Sequence, residues 1–144
     1  DRNHKSDKTL IQYLINAAGY GSNLLLNVGP MPNGAIQPEH IKSLKAIGEW
    51  MKVNGATIYG TKAGPVHIEN EIVSTQKGDV VYLHIIANNL DEYFIPEFNP
   101  NIKSMVFYNS RKEVKFNKTR EGLTIPVPQE EKNDTDIIIE LTLR

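Results

Sequence analysis

The sequence predicts an α/β segment followed by an all-β segment, and three observations carry that prediction. Residues 24–28, Leu-Leu-Leu-Asn-Val, form an almost unbroken apolar run. A strand with one wet face alternates apolar and polar residues, whereas a continuous run is the habit of parallel strands covered on both faces by helices. On either side of this run, apolar residues recur at three- and four-residue steps, the period of an amphipathic helix. From about Gly64 that period vanishes. Short β-rich runs follow at intervals of roughly 10 residues, the rhythm of a β-sandwich.

The elements follow in order. Ser6 or Asp7 can cap a helix by accepting from a free backbone N–H. Leu10, Ile11, Leu14 and Ile15 form one stripe, Ala17 and Ala18 extend it, and Gly19 is a plausible stop. Tyr20-Gly21-Ser22 turns into the buried strand. Gly29-Pro30 ends that strand, and Pro32-Asn33-Gly34 is strong turn chemistry. Pro38 suits the first position of a second helix, Glu39 sits at the positive end of its dipole, and Asn54-Gly55 closes it. Residues 7–53 therefore read helix, strand, helix. Strands are predicted over 71–75, 80–87, 102–108, 113–117, 123–127 and 137–143. Val80–Ala87 carries apolar groups on both faces, which predicts a central strand. The boundary between residues 1–62 and 63–144 falls near Thr61–Pro65. Trp50, Ile58 and Tyr59 flank it and are too apolar for a free linker, so they are expected to be mostly buried.

One parallel strand flanked by two helices cannot bury its own faces. The Leu run needs neighbouring strands, and the chain offers no other candidate before the sandwich. A (β/α)8 barrel takes about 250 residues. Residues 1–62 thus read as the last β/α unit of such a barrel, incomplete here, followed by a C-terminal antiparallel β-sandwich.

Composition narrows the function. The chain has 144 residues, 40% hydrophobic and 23% charged, as expected of a globular protein. The net charge of −1, without a basic block, gives no electrostatic support to nucleic-acid binding. No apolar run approaches the roughly 20 residues of a membrane-spanning helix, so no membrane partner is expected. There is no cysteine, hence no disulfide, thiol catalysis or cysteine metal site. A start at Asp1, without Met, suggests a processed or truncated chain.

A resemblance becomes specific at four blocks. Leu-Ile-Gln-Tyr-Leu-Ile (10–15), Gly-Ser-Asn-Leu-Leu-Leu-Asn-Val-Gly-Pro (21–30), Asn-Gly-Ala-Ile (33–36) and Ile-Gly-Glu-Trp-Met-Lys-Val-Asn-Gly-Ala-Thr-Ile-Tyr-Gly-Thr (47–61) resemble the α-L-fucosidase family of retaining glycoside hydrolases. Ser22, Asn33 and Ala56-Thr57 are mild departures from the family's usual Gly, Asp and Glu-Ala. Residues 78–84 extend the match more weakly into the sandwich. The resemblance implies a barrel that removes terminal α-L-fucose from a fucosylated glycan, a C-terminal sandwich, no cofactor, and an extracytoplasmic location (secreted, periplasmic or lysosomal). Retaining glycosidases use two carboxyl groups roughly 5 Å apart. The family's nucleophile and acid/base motifs match no position here, so no catalytic residue is carried over.

The tempting side chains have plain readings. Glu39 and Glu49 lie on one helix rather than at strand ends, and a solvated face explains them. His4, His40, His67 and His84 lack metal-binding spacing, and His84 fits a hydrogen-bonded core or interface histidine. Trp50 fits packing better than sugar stacking. Asn27 is the candidate substrate-binding residue, because it lies near the C-terminal end of the strand, where barrel sites form. Alternatively it pins the Gly29–Gly34 turn. Asn117-Lys118-Thr119 and Asn133-Asp134-Thr135 match the N-glycosylation pattern, which is frequent by chance. A second class of function is a non-catalytic carbohydrate-binding sandwich. Tyr93, Phe94, Phe98, Phe107 and Tyr108 could then form an exposed platform, although most of them alternate into core positions.

Overall fold

The computed structural model describes residues 3–87 and 89–144. Helix α1 spans Asp7–Gly19 and α2 spans Pro38–Asn54, with a 3-10 turn at Gly55–Thr57. Eight strands follow: β1 Lys62–Ile68, β2 Ile72–Lys77, β3 Val80–Ile85, β4 Glu92–Pro96, β5 Ile102–Phe107, β6 Asn117–Lys118, β7 Gly122–Pro126 and β8 Ile137–Leu143. They form a five-stranded sheet in the order β1-β2-β3-β8-β5 and a three-stranded sheet in the order β4-β7-β6. Every pairing is antiparallel.

The two sheets meet in the main core. Val81, Leu83 and Ile85 of β3 and Ile137, Ile139 and Leu141 of β8 pack with Tyr93 and Ile95 of β4 and Leu123 and Ile125 of β7. The other face of the large sheet carries the helices. Ile11 and Ile15 of α1 bury against Val73 of β2, and Ile47, Trp50, Ile58 and Ile86 pack around them. The central position predicted for Val80–Ala87 is observed, since β3 lies third of five. Trp50 and Ile58 are half-buried in this second cluster, while Tyr59, expected inside, is 68% exposed. Tyr59 instead lays its ring beside Gly55.

Local chemistry explains the helix ends. Ser6 is the cap of α1, its Oγ accepting from Thr9 N at 3.1 Å. The left-handed residue that ends α1 is Gly21 (φ 67°), not Gly19. Gly19 has a different reason to be glycine. A Cβ there would lie 2.1 Å from Val73 Cγ2, so its absence lets the end of α1 settle on β2. At the close of α2, Thr57 Oγ1 donates to Asn54 O at 2.7 Å, and Thr75 Oγ1 of β2 donates to Thr57 O at 2.6 Å. The Asn-Gly-Ala-Thr block thus ties the second helix to the sheet.

The strand reading needs correction at four places. β1 and β4 were not expected. Gly64-Pro65 and Pro96 mask them, although a proline is tolerated on the β1 edge. Residues 113–117 do not form a continuous strand; they contribute an isolated bridge, Val106–Glu113, and the start of β6. Leu24–Val28 forms no ladder with any described strand, and Leu25 is 92% exposed. The sequence demanded neighbours for this run, and none is present among the described residues.

Replacing Gly19 with Ala should destabilise the fold by roughly 1–3 kcal/mol through overpacking against Val73. Urea unfolding checks this. The same change made on a Val73→Ala background should cost measurably less.

Candidate functional site

The cleft that holds Asn27 is built from three pieces. Leu10 and Tyr13 of α1 form one wall, His40, Ser43 and Leu44 of α2 form the other, and residues 24–28 run along it. Its volume is about 290 Å³. Asn3, His4 and Lys5 close one end. The His4 and His40 rings meet edge to face with centroids 5.2 Å apart, and His40 Nδ1 is buried without a hydrogen-bond partner.

Asn27 is exposed in this cleft. The turn beyond it is held by other groups. Ala35 N donates to Asn33 Oδ1 at 3.1 Å, Met31 N to Ala35 O at 2.8 Å and Gly34 N to Met31 O at 2.8 Å. Asn33 therefore does the pinning that could have fallen to Asn27. Among the described residues the walls offer imidazoles, hydroxyls, amides and the Lys5 ammonium but no carboxylate, so these residues supply neither the acid nor the nucleophile that glycoside hydrolysis requires.

The other singled-out residues are dispersed. Glu39 and Glu49 are exposed on α2, and Glu49 pairs with Lys52. His67 Nε2 lies 2.6 Å from Gly19 O, and its ring stacks on Tyr20. No group of three or more His, Asp or Glu able to hold a metal occurs among the described residues. No helix among them is long and apolar enough to cross a membrane.

His84 is the buried histidine that its strand pattern predicts. The sequence did not reveal its partner. Nδ1 lies 2.6 Å from Asp136 Oδ2, and both side chains are fully buried. Burial raises the Asp136 carboxyl above its ordinary range, and His84 partly offsets this. The available signal was an Asp directly before a strongly apolar strand.

The aromatic side chains do not form a sugar platform. Tyr93 and Phe107 are buried in the core, and Phe98 and Tyr108 are half-buried. Phe94 is exposed, but its ring lies over Gly122 of the neighbouring strand.

Known proteins show the same arrangement. Residues 1–56 match the family model described as alpha-L-fucosidase. Tissue alpha-L-fucosidase of Bos taurus is 31% identical over 131 residues, covering 86% of this chain and 28% of that protein. Among solved structures, alpha-L-fucosidase isoenzyme 1 from Paenibacillus thiaminolyticus superposes with a TM-score of 0.87 at 28% identity, over 100% of this chain and 36% of that one. The chain belongs to the α-L-fucosidase family. The alpha-fucosidase of Thermotoga maritima agrees, with a TM-score of 0.85 at 25% identity over 99% of this chain and 36% of that one. The chain spans less than a third of the length of the bovine fucosidase, 28%, and corresponds to a C-terminal portion. Both helices, both sheets and the Leu24–Val28 run fall within the superposed region.

Replacing Asn33 with Ala should loosen the 31–35 turn without unfolding the sandwich. The measurement is amide exchange, which should quicken at Gly34 and Ala35 and stay unchanged in β3 and β8.

Proposed function

We propose that this chain is the C-terminal part of an α-L-fucosidase, a retaining glycoside hydrolase that removes terminal α-L-fucose from glycans or glycoconjugates. In this reading residues 1–62 end a (β/α)8-like barrel, residues 63–144 form a sandwich braced against it, and the protein works outside the cytoplasm. The observation that carries the reading is Leu24–Val28. It is an apolar run without ladder partners in a chain that otherwise superposes fully on fucosidases. Neighbouring barrel strands would pair with it and cover it.

The catalytic carboxylates are then supplied by residues outside this chain. Retaining hydrolysis needs a nucleophile on one face of the sugar and a proton donor at the leaving oxygen. Displacing such groups by about 1 Å can cost roughly 100-fold in rate, so an incomplete barrel cannot improvise them. Asn27, exposed near the end of the run and not needed by the turn, is available to bond a sugar hydroxyl.

The test is to assay the 144-residue chain and a longer parent with an aryl α-L-fucoside. Aryl alcohol should be released by the parent only. Turnover by the short chain, abolished by changing one of its own carboxylates, would overturn the reading. Replacing Asn27 with Ala in the parent should lower kcat/KM about fivefold, as loss of one hydrogen bond worth about 1 kcal/mol implies. The urea midpoint should not change. A lower midpoint with unchanged kcat/KM would make Asn27 a structural residue instead.

A further inference from the structure

The sequence holds two Asn-Gly pairs, Asn33-Gly34 and Asn54-Gly55. In such a pair the backbone nitrogen of the glycine can reach the side-chain amide of the asparagine, because glycine puts no Cβ in the way. Attack by that nitrogen closes a five-membered imide and expels ammonia. The dipeptide gives both pairs the same chemistry. The fold separates them.

At the first pair the reacting groups stand in water. Asn33 and Gly34 are exposed at the tip of the 31–35 turn. Gly34 has φ 83°, and no atom lies within 4 Å of the position a Cβ would take. The side chain is also oriented, since Ala35 N donates to Asn33 Oδ1 at 3.1 Å. Negative charge develops on Oδ1 when Cγ is attacked, so this N–H sits where an oxyanion donor is needed. Among the described residues one bond restrains the nucleophile, Gly34 N to Met31 O at 2.8 Å. It lies in an exposed turn, where local opening is easiest.

At the second pair every reacting group is held. Asn54 is only 7% exposed. Its Nδ2, the leaving group, donates to Trp50 O at 3.2 Å. The nucleophile, Gly55 N, donates to Met51 O. Asn54 Oδ1 is buried without a hydrogen-bond partner, so charge would develop on an atom that nothing solvates. The Tyr59 ring covers Gly55, with Cε2 3.1 Å from where a Cβ would stand. Thr57 Oγ1 donates to Asn54 O at 2.7 Å and fixes the backbone between α2 and the 3-10 turn. Reaction here requires the end of α2 to open first.

We propose that Asn33 is a self-modification site of the folded protein, deamidated through a cyclic imide with water as the only co-reactant, and that the fold spares Asn54. In the first step Gly34 N bonds to Asn33 Cγ and the Cγ–Nδ2 bond breaks. Ammonia leaves with the proton that Gly34 N gives up. In the second step one water adds to the imide. Addition at Cγ breaks the new Cγ–N bond, restores Gly34 N–H and leaves aspartate. Addition at the main-chain carbonyl carbon of residue 33 leaves isoaspartate, with the chain now routed through Cγ.

The two products act differently on the turn. Both add a negative charge at its tip. Aspartate keeps an oxygen that can accept from Ala35 N, as short polar side chains do in turns. Isoaspartate inserts an extra carbon into the main chain between Pro30 and Ile36, which form a bridge across the turn. That bridge then loses its register.

The experiment incubates the 144-residue chain in mildly alkaline buffer and follows both pairs over time by peptide mass spectrometry, with fragmentation that separates aspartate from isoaspartate. A parallel sample in concentrated guanidinium chloride removes the fold. Both pairs should convert at similar rates in guanidinium. In the folded chain Asn33 should convert at least about tenfold faster than Asn54, because Asn54 lacks an oxyanion donor and must break an additional hydrogen bond. Both aspartate and isoaspartate should appear at position 33. Equal rates at the two pairs in the folded chain, or a faster Asn54, would overturn the proposal. So would an Asn33 that stays intact in the folded chain while it converts in guanidinium.

Discussion

Strand β3 carries side chains that must be covered on both faces, and each face has its own cover. Val81, Leu83 and Ile85 need the three-stranded sheet, and Tyr82 and His84 lie on the face that carries the helices. A strand dry on both sides requires layers above and below it. The rest of the chain supplies them. β8 pairs alongside, β4 and β7 close the sandwich, and α1 seats on the far face through Gly19 and Val73. The α/β part and the β part thus share one sheet. The unit superposes on a fucosidase over its whole length.

The edges separate what is finished here from what is not. At the β1 edge, Pro65 and a bulge between Ala63 and His67 discourage further pairing, and Ser74 Oγ satisfies Val66 N inside the bulge at 2.8 Å. At the β5 edge the chain folds back, with Phe107 N donating to Lys112 O and Val114 N to Met105 O. Leu24–Val28 has no such protection. It offers open backbone and exposed leucines, the chemistry of a strand awaiting neighbours. The proposed barrel answers that one deficit.

Much of this was legible in residue periods. The helix stripe at Leu10–Ile15, Pro38 at a helix start and the two-sided pattern of Val80–Ala87 each gave the correct element. Elements interrupted by proline or glycine were not legible, because a bulge filled by Ser74 depends on a partner eight residues away. The pairing of His84 with Asp136 was also invisible. The two are 52 positions apart, and nothing local couples them. Around Asn27 the residue pattern pointed to a turn after the apolar run but not to which asparagine holds it. Asn33 wins because its Oδ1 reaches a backbone N–H two residues on, a local bond that short polar side chains make readily.

The central claim is that Leu24–Val28 is a barrel strand whose partners lie outside this chain. Amide hydrogen exchange at residues 24–28, measured in the 144-residue chain and in a longer parent, tests it most directly. The account predicts near-intrinsic exchange in the short chain, beside strong protection in β3 and β8. In the parent it predicts slowing of residues 24–28 to the level of β3. Protection already present in the short chain, or absent in the parent, would contradict it.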